Sequence, residues 1–512
     1  MKPDIDRRKF LGSAAASGAI TIVPRHVVGG QSFVAPSDKI TVGYIGCGTQ
    51  GLRELMAMLP IPDIQVVAVC DPVKDSNEYV EFSKGGVLRS IQNFLGKPNW
   101  RAGVKAAPGG REVAREIVET YYAEKRSSDK FRGVHAYADF RELLAKESDL
   151  NAVKIMTPDH LHATIAVQAM KKGKHVVVHK PIANRLHEAK VVFDTVRESG
   201  VATHFMPYGR GGGMGMERVM TWIRDGAIGT IREIHNWTNR PMWPHYTSIP
   251  TDRPPVPKDF DWDLWLGPSL DRSYHPNYTH TVFRGWYEFG GGSIADMGHY
   301  SLWPVFEAFH LPAPVMVEST GSFTYEVTDL VSARVRNDFS FPMASAVRFK
   351  IPAHDRWPDI DLHWYDGGMK PPTPRELDED ARELPSSGMM FVGDKGRILD
   401  GRIIPESRMR AYGGPQPPPL EGRGGAGGGR GGQGGGLGGQ NSLADWIKAV
   451  RGGAPSPGNF LNAIPLTETV NLVAVSLRAG RKLAYDPATM KITNTSEADQ
   501  YLRREYRKGW EL

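Results

Sequence analysis

The sequence has 512 residues and only two cysteines, Cys47 and Cys70. Both fall at the ends of expected strands, where a small buried side chain suits them better than a bridge. No Cys-x-x-Cys or His-Glu-x-x-His spacing occurs, so no catalytic metal is expected. His160 and His162 are two apart on an expected helix and face different ways. His175 and His179 share a strand face but sit far apart along it. The formal charge is +6, without a basic face or stripe, and the first 35 residues hold Lys2, Arg7, Arg8, Lys9 and Arg25 against Asp4 and Asp6. About +3 is left for the remaining 477 residues, which speaks against a nucleic-acid partner. The apolar stretch Leu11–Val23 is too short and too rich in Ala, Gly and Ser for stable membrane insertion. No internal repeat is present.

What the sequence does contain falls into three expected regions. Residues 1–35 carry Asp6-Arg7-Arg8-Lys9-Phe10-Leu11 ahead of that mild apolar stretch. This is a twin-arginine pattern and predicts export, to the periplasm for example, with cleavage somewhere in Gly29–Asp38. Residues 36–208 alternate apolar strands with helices. Strands are expected at Lys39–Gly46, Ile64–Cys70, Ala152–Met156, His175–Val178 and Val201–Met206. Helices are expected at Leu52–Leu59, Phe140–Lys146, His160–Lys172 and Leu186–Ser199. Such alternation implies a Rossmann-type, doubly wound parallel sheet. Pro72–Gly133 reads as an elaborated insertion with one helix, Arg111–Lys125. Residues 209–512 predict a C-terminal α/β domain with a large, mainly antiparallel open sheet, its strands near Thr230–Trp237, Ala313–Tyr325, Leu330–Val335 and Met343–Ile351. Late helices are expected at Ser442–Val450 and Pro465–Leu483. Residues 413–440 are glycine-rich and lack the apolar side chains to offset ordering, so a flexible loop is expected.

The most informative motif is Gly46-Cys47-Gly48-Thr49-Gln50-Gly51. It follows a strand, opens a helix, and precedes Asp71 at the end of the next strand by twenty residues. Gly46 allows the tight turn, Gly48 lets backbone approach a pyrophosphate, and Gly51 lets helix and strand pack closely. The helix N-terminus offers N–H groups to phosphates. Asp71 suits ribose hydroxyls and disfavours a 2′-phosphate, so NAD is expected over NADP, with Lys74 keeping NADP open.

At Met156-Thr157-Pro158-Asp159-His160-Leu161-His162 and Val178-His179-Lys180-Pro181 the chain resembles the Gfo/Idh/MocA family of oxidoreductases. Further resembling pieces are Asp261–Pro268, Gly290–His299 and Arg504–Trp510. The tryptophan-rich pieces and the export signal resemble an exported branch. The resemblance implies an NAD(P)-dependent carbohydrate oxidoreductase whose open C-terminal sheet serves homo-oligomer contacts. It places Thr157, Pro158, His160 and His179 along the cofactor, Lys180 beside the reacting carbon and Asp296 in the substrate site. Two positions depart from the family pattern. His179 stands where a glutamate is usual. Tyr300 stands where many members have the acid/base histidine, with His299 one residue earlier, so either is a candidate for proton transfer.

The expected chemistry is hydride transfer between the cofactor and a secondary hydroxyl or keto carbon of a sugar, polyol or glycoside. It needs a charge or base at oxygen, for which Lys180, Asp296, His299 and Tyr300 are the candidates. Trp265, Tyr278, Trp286 and Arg284 are candidate substrate contacts, the aromatic rings as sugar-stacking walls, with core packing as the alternative. Trp243 belongs to the same group. Two rival readings are compatible with the sequence. One is an NAD-dependent glycoside hydrolase that oxidises, eliminates and re-reduces. The other is a non-catalytic sugar-binding protein on a retained scaffold.

Overall fold

Alternating strands and helices build the first domain as the sequence predicts. The structure is a computed structural model describing residues 38–81, 85–104, 106–126, 131, 133–209, 215–414 and 438–512. The export segment and residues 415–437 of the glycine-rich tract lie outside the described residues. In chain order the domain comprises β1 (Ile40–Ile45), β2 (Ile64–Cys70), β3 (Ser76–Tyr79), β4 (Ala107–Gly109), β5 (His135–Tyr137), β6 (Ala152–Ile155), β7 (His175–Val178) and β8 (Thr203–Phe205). Six of them form a sheet of order β5-β2-β1-β6-β7-β8, every pairing parallel. Helices α1 (Thr49–Met58), α2 (Gly86–Leu95), α3 (Arg111–Lys125), α4 (Phe140–Lys146), α5 (Asp159–Lys171) and α6 (Leu186–Ser199) accompany it. Strands such as ITVGYI are apolar nearly throughout because helices cover both sheet faces. The strand order reverses between β1 and β6, and the crevice of a doubly wound sheet opens beyond such a reversal.

The insertion between β2 and β5 contains the expected helix α3, but also α2 and the pair β3/β4. Val87, Ile91 and Leu95 recur every four residues and bury one face of α2. The short strand SNEY has no apolar alternation and left no pattern to read. Cys47 and Cys70 are both buried free thiols, as expected.

The second domain is a nine-stranded mixed sheet. Its strands are β9 (Ile231–Trp237), β10 (Met316–Gly321), β13 (Ser345–Ile351), β14 (Ile360–Tyr365), β15 (Gly388–Gly393), β16 (Arg397–Leu399), β17 (Arg402–Ile404), β18 (Leu483–Asp486) and β19 (Lys491–Ile492), with β11 (Tyr325–Thr328) and β12 (Val331–Arg334) paired apart as a hairpin. The order is β17-β16-β15-β9-β14-β13-β10-β18-β19. Among the described residues of this sheet, only the β9/β14 pair is parallel. Buried and partly exposed residues alternate along β14, so one sheet face packs and the other is open.

Helix Ile464–Ala479 lies against that packed face and also touches α6, joining the two domains in one core. With its lead-in turn from Phe460 it is long and apolar enough to cross a membrane, but most of it is buried in this core. Leu443, Trp446 and Ile447 of helix Gly438–Val450 return to the core of the first domain. Near the C-terminus Arg504 is buried, bonded to Glu188 and Asn184 on one side and to Ser269 and Glu288 on the other. The C-terminal segment thereby clamps α6 to the tryptophan-rich segment.

Candidate active site

The glycine-rich turn is shaped by its own close packing. Gly46 adopts φ +100°, and a Cβ there would lie 2.5 Å from the carbonyl carbon of Met156. A Cβ on Gly51 would lie 2.1 Å from the Gly46 oxygen. These two glycines let β1, α1 and the end of β6 meet. Helix α1 starts at Thr49 with Gly48 as N-cap, no capping side chain and no acidic residue in its first turn, leaving its positive end open to an anion. Gln50 is held by Glu54, which pairs with the buried Lys154.

Asp71 accepts from the backbone N–H of Cys47 at 2.6 Å and of Val73 at 2.8 Å. Each carboxylate oxygen keeps a second lone pair for a ribose hydroxyl. Burial pushes the Asp71 carboxyl up to about 6, against the opposing pull of those N–H groups and of Arg111. The insertion closes on the same turn. Gly110 N–H donates to the Cys47 carbonyl at 3.0 Å, and the Tyr79 ring stands 3.2 Å from where a Gly48 Cβ would be. Tyr79 was not legible as a site residue, because nothing local marks a tyrosine thirty-one positions beyond Gly48 as its neighbour. A turn with an uncapped helix end, glycines that tolerate no Cβ and a carboxylate at the end of β2 fits a dinucleotide.

The other half of the crevice follows β6 and β7. His162 bonds the carbonyls of Thr157 and Pro181, tying the two post-strand loops together. Lys180 follows β7, is buried, and is ion-paired with Asp296. Arg284 Nε lies 3.3 Å and Arg240 Nε 3.6 Å from the same carboxylate. The buried Asp159 accepts from Gly291 N–H at 3.1 Å. Burial lowers the pKa of the Lys180 ammonium; Asp296 opposes this and Arg284 adds to it. For Asp296, burial acts to raise the pKa, but Lys180 and Arg284 more than offset it and hold the carboxyl below its usual range. Asp296 lies within the widened turn Ile294–Gly298, a π-helical segment of the kind found at functional sites. Its carboxylate therefore serves the cluster and does not cap helix His299–Phe309. Arg240, Asp159 and His162 join predicted Lys180, Asp296 and Arg284. Asp159 and His162 lay inside the quoted motif, whereas no motif in the sequence marks Arg240.

The structure separates His299 from Tyr300. His299 is fully buried, its Nδ1 bonds the Ala295 carbonyl at 3.0 Å, and its ring packs edge-on against Phe205. Burial drives its pKa down to about 3, so the ring is neutral, and its Nε2 is buried without a partner. The Tyr300 hydroxyl bonds His179 Nε2 at 2.7 Å, and the Lys180 ammonium stands 5.4 Å from the Tyr300 ring centroid. Both departures from the family pattern thus meet in one hydrogen bond.

Three aromatic candidates are placed elsewhere. Trp265, Tyr278 and Trp286 are buried in a block with Phe283 and Phe289, their rings packed on one another and on Trp262 and Tyr246. Trp286 Nε1 is satisfied by the Asn277 carbonyl. They are core residues and present no sugar-stacking wall, the packing alternative of the sequence reading. His160 packs into the same block, although its buried Nδ1 has no partner. Its Nε2 bonds the Trp265 carbonyl and its ring packs between Trp265 and Phe289. Trp243, by contrast, is buried with Nε1 unpartnered, 5.8 Å from the Arg284 guanidinium measured at its ring centroid. Thr157 Oγ1 is buried and unpartnered too. Buried polar atoms of this kind await a ligand or water.

An oxidoreductase family with an NAD-binding Rossmann fold matches residues 40–206, and that family's C-terminal alpha/beta domain matches residues 219–322, together just over half of the chain. The chain belongs to the Gfo/Idh/MocA oxidoreductase family. Its first domain is accordingly an NAD-binding Rossmann domain. A levoglucosan dehydrogenase of Pseudarthrobacter phenanthrenivorans is 29% identical over 139 residues, 26% of this chain and 35% of that one. A glycosyl hydrolase family 109 protein of Streptomyces filamentosus is 31% identical over 177 residues, 34% of this chain and 28% of that one. The matched part thus spans about a third of these relatives' length. The WlbA dehydrogenase of Bordetella pertussis, solved with NADH and UDP-GlcNAcA, shares the fold at 14% identity and a TM-score of 0.50, over 88% of this chain and 99% of that one.

Proposed function

We propose that this chain is an NAD-dependent oxidoreductase acting on a secondary hydroxyl or keto carbon of a sugar, polyol or glycoside. The observation that carries this reading is the buried Lys180–Asp296 pair flanked by Arg284 and Arg240, beside the Thr157 loop of an NAD-binding domain. The bound NAD supplies the hydride acceptor or donor. Gly46–Gly51, Asp71 and the Thr157-Pro158 loop hold it. The Lys180 charge stabilises oxygen as it becomes an alkoxide, with Arg284 and Arg240 keeping Asp296 ionised so that Lys180 stays oriented. The substrate hydroxyl passes its proton to the Tyr300 oxygen while Tyr300 passes its own to His179 Nε2. The unpartnered Trp243 N–H suits a sugar hydroxyl. The test is absorbance in the NADH band with purified protein, NAD and a panel of sugars and glycosides; no change with any of them, cofactor bound, defeats the reading.

A second reading is an NAD-dependent glycoside hydrolase, favoured by relatives that carry the name glycosyl hydrolase family 109 protein. Release of an aryl aglycone without net NADH formation would select it. An intact dinucleotide cradle beside Lys180 argues against a non-catalytic binder. The twin-arginine pattern supports work outside the cytoplasm, tested by cell fractionation. The hairpin β11/β12, with Tyr325, Val327, Leu330 and Val331 exposed, supports a homo-oligomer, tested by light scattering on the purified chain.

A further inference from the structure

On the open face of the large sheet, away from the crevice, Glu233 and His235 stand two apart on β9, so both project to the same side. His363 on β14 is the register partner of His235 in the parallel pair. One ligand atom from each of the three lies within 4.8 Å of the others. His235 Nε2 is 2.8 Å, and His363 Nε2 4.0 Å, from Glu233 Oε2. The two imidazoles lie nearly parallel, 4.5 Å apart at their centroids.

We propose that Glu233, His235 and His363 form a site for a divalent first-row transition cation, zinc being the first choice. Two imidazoles and one carboxylate are a usual three-residue zinc set, with water in the fourth position. Tetrahedral ligands about 2.1 Å from zinc are roughly 3.4 Å apart, and the separations of 2.8 and 4.0 Å bracket that value. Glu233 and His363 are partly exposed, which leaves their side chains room to rotate toward the set. The outer ring nitrogen of His235 already has a partner. Its Nδ1 lies 3.2 Å from the Tyr365 hydroxyl, an arrangement that leaves Nε2 as the ligand and holds the ring, as second partners do at metal sites.

The site is separate from hydride transfer. Asn236, next to His235, points to the opposite sheet face and bonds Ser301 in the helix that follows Asp296. A cation bridging β9 and β14 therefore pins the strands that support this helix and touches no reacting group.

The full-length protein, stripped with chelator, is titrated with Co(II) at neutral pH. One equivalent should give the visible absorption of a four-coordinate cobalt site, reversed by Zn(II). Glu233→Gln should weaken binding by more than the roughly 10-fold that loss of even an outer partner costs, and His235→Ala with His363→Ala should abolish the band. Turnover should stay within a few-fold in Glu233→Gln. If the double variant does not fold, His363→Gln alone takes its place, with the same loss expected. Absence of a band in the wild type, or a band of equal strength in the variants, overturns the proposal.

Discussion

The crevice around Asp296 and the aromatic block around Trp286 both draw on residues 240–300, yet their tryptophan N–H groups are treated in opposite ways. In the block, Trp286 Nε1 donates to Asn277, Trp262 Nε1 to Arg272, and the Trp265 carbonyl bonds His160. Those polar atoms are used up inside the protein. In the crevice, Trp243 Nε1 and Thr157 Oγ1 are buried without partners, and three cations share one carboxylate with Asp159 nearby. A buried donor left unpaired costs about 1–3 kcal/mol, and a ligand that pairs it recovers that cost. Aromatic character alone therefore does not mark a sugar site; the crevice differs by its charged cluster as well as by the unpartnered Trp243 N–H.

This contrast can be broken or sharpened by substitution. The largest effect is expected from Trp286→Ala, which empties the centre of the block and should cost about 3–5 kcal/mol of stability. Thermal unfolding measures the loss, and KM of the folded enzyme should stay near wild type. A selective rise in KM without lost stability would return Trp286 to the substrate site. Next comes Lys180→Ala, expected to lower kcat about 10²–10³-fold, the range for removing one group that stabilises developing charge. NAD binding by fluorescence titration should be retained, and near-normal turnover would remove Lys180 from the mechanism.

Tyr300→Phe is expected to lower kcat about 10²-fold, the scale of losing one proton-transfer group. His299→Gln should change kcat only a few-fold while lowering the melting temperature. The reverse pattern would restore His299 as the acid/base. The last effect concerns Asp71, whose carboxyl burial pushes up from 3.8 to about 6 in the folded chain. The folded state holds this proton more tightly, so its contribution to stability is lost as pH rises from about 4 to 6. Cofactor affinity should move the other way, rising up to tenfold per pH unit over that range as the acceptor oxygen is freed. Asp71→Asn should flatten both trends, measured by calorimetric titration and unfolding at matched pH.

Much of this molecule was legible in its sequence. Helices Arg111–Lys125, Phe140–Lys146 and Leu186–Ser199 and strands Ile64–Cys70 and His175–Val178 stand where periodicity and end signals put them. Gly46 and Gly51 do what the motif requires. The antiparallel pair β3/β4, with α2 between its strands, was not legible, because three or four residues without alternation leave no periodic signal. The choice between His299 and Tyr300 was open because adjacent helical residues point about 100° apart, and only the packing of that helix decides which direction is the crevice.

The sequence by itself determined the Rossmann domain, its dinucleotide turn and the preference for NAD, since these rest on backbone freedom at glycine and on burial patterns that repeat every two to four residues. The tertiary structure alone decided which polar side chains work together. Lys180 meets Asp296 across 116 residues and His179 meets Tyr300 across 121. Pairings at that range are set by how the two domains share one core, and no local pattern in the chain encodes them.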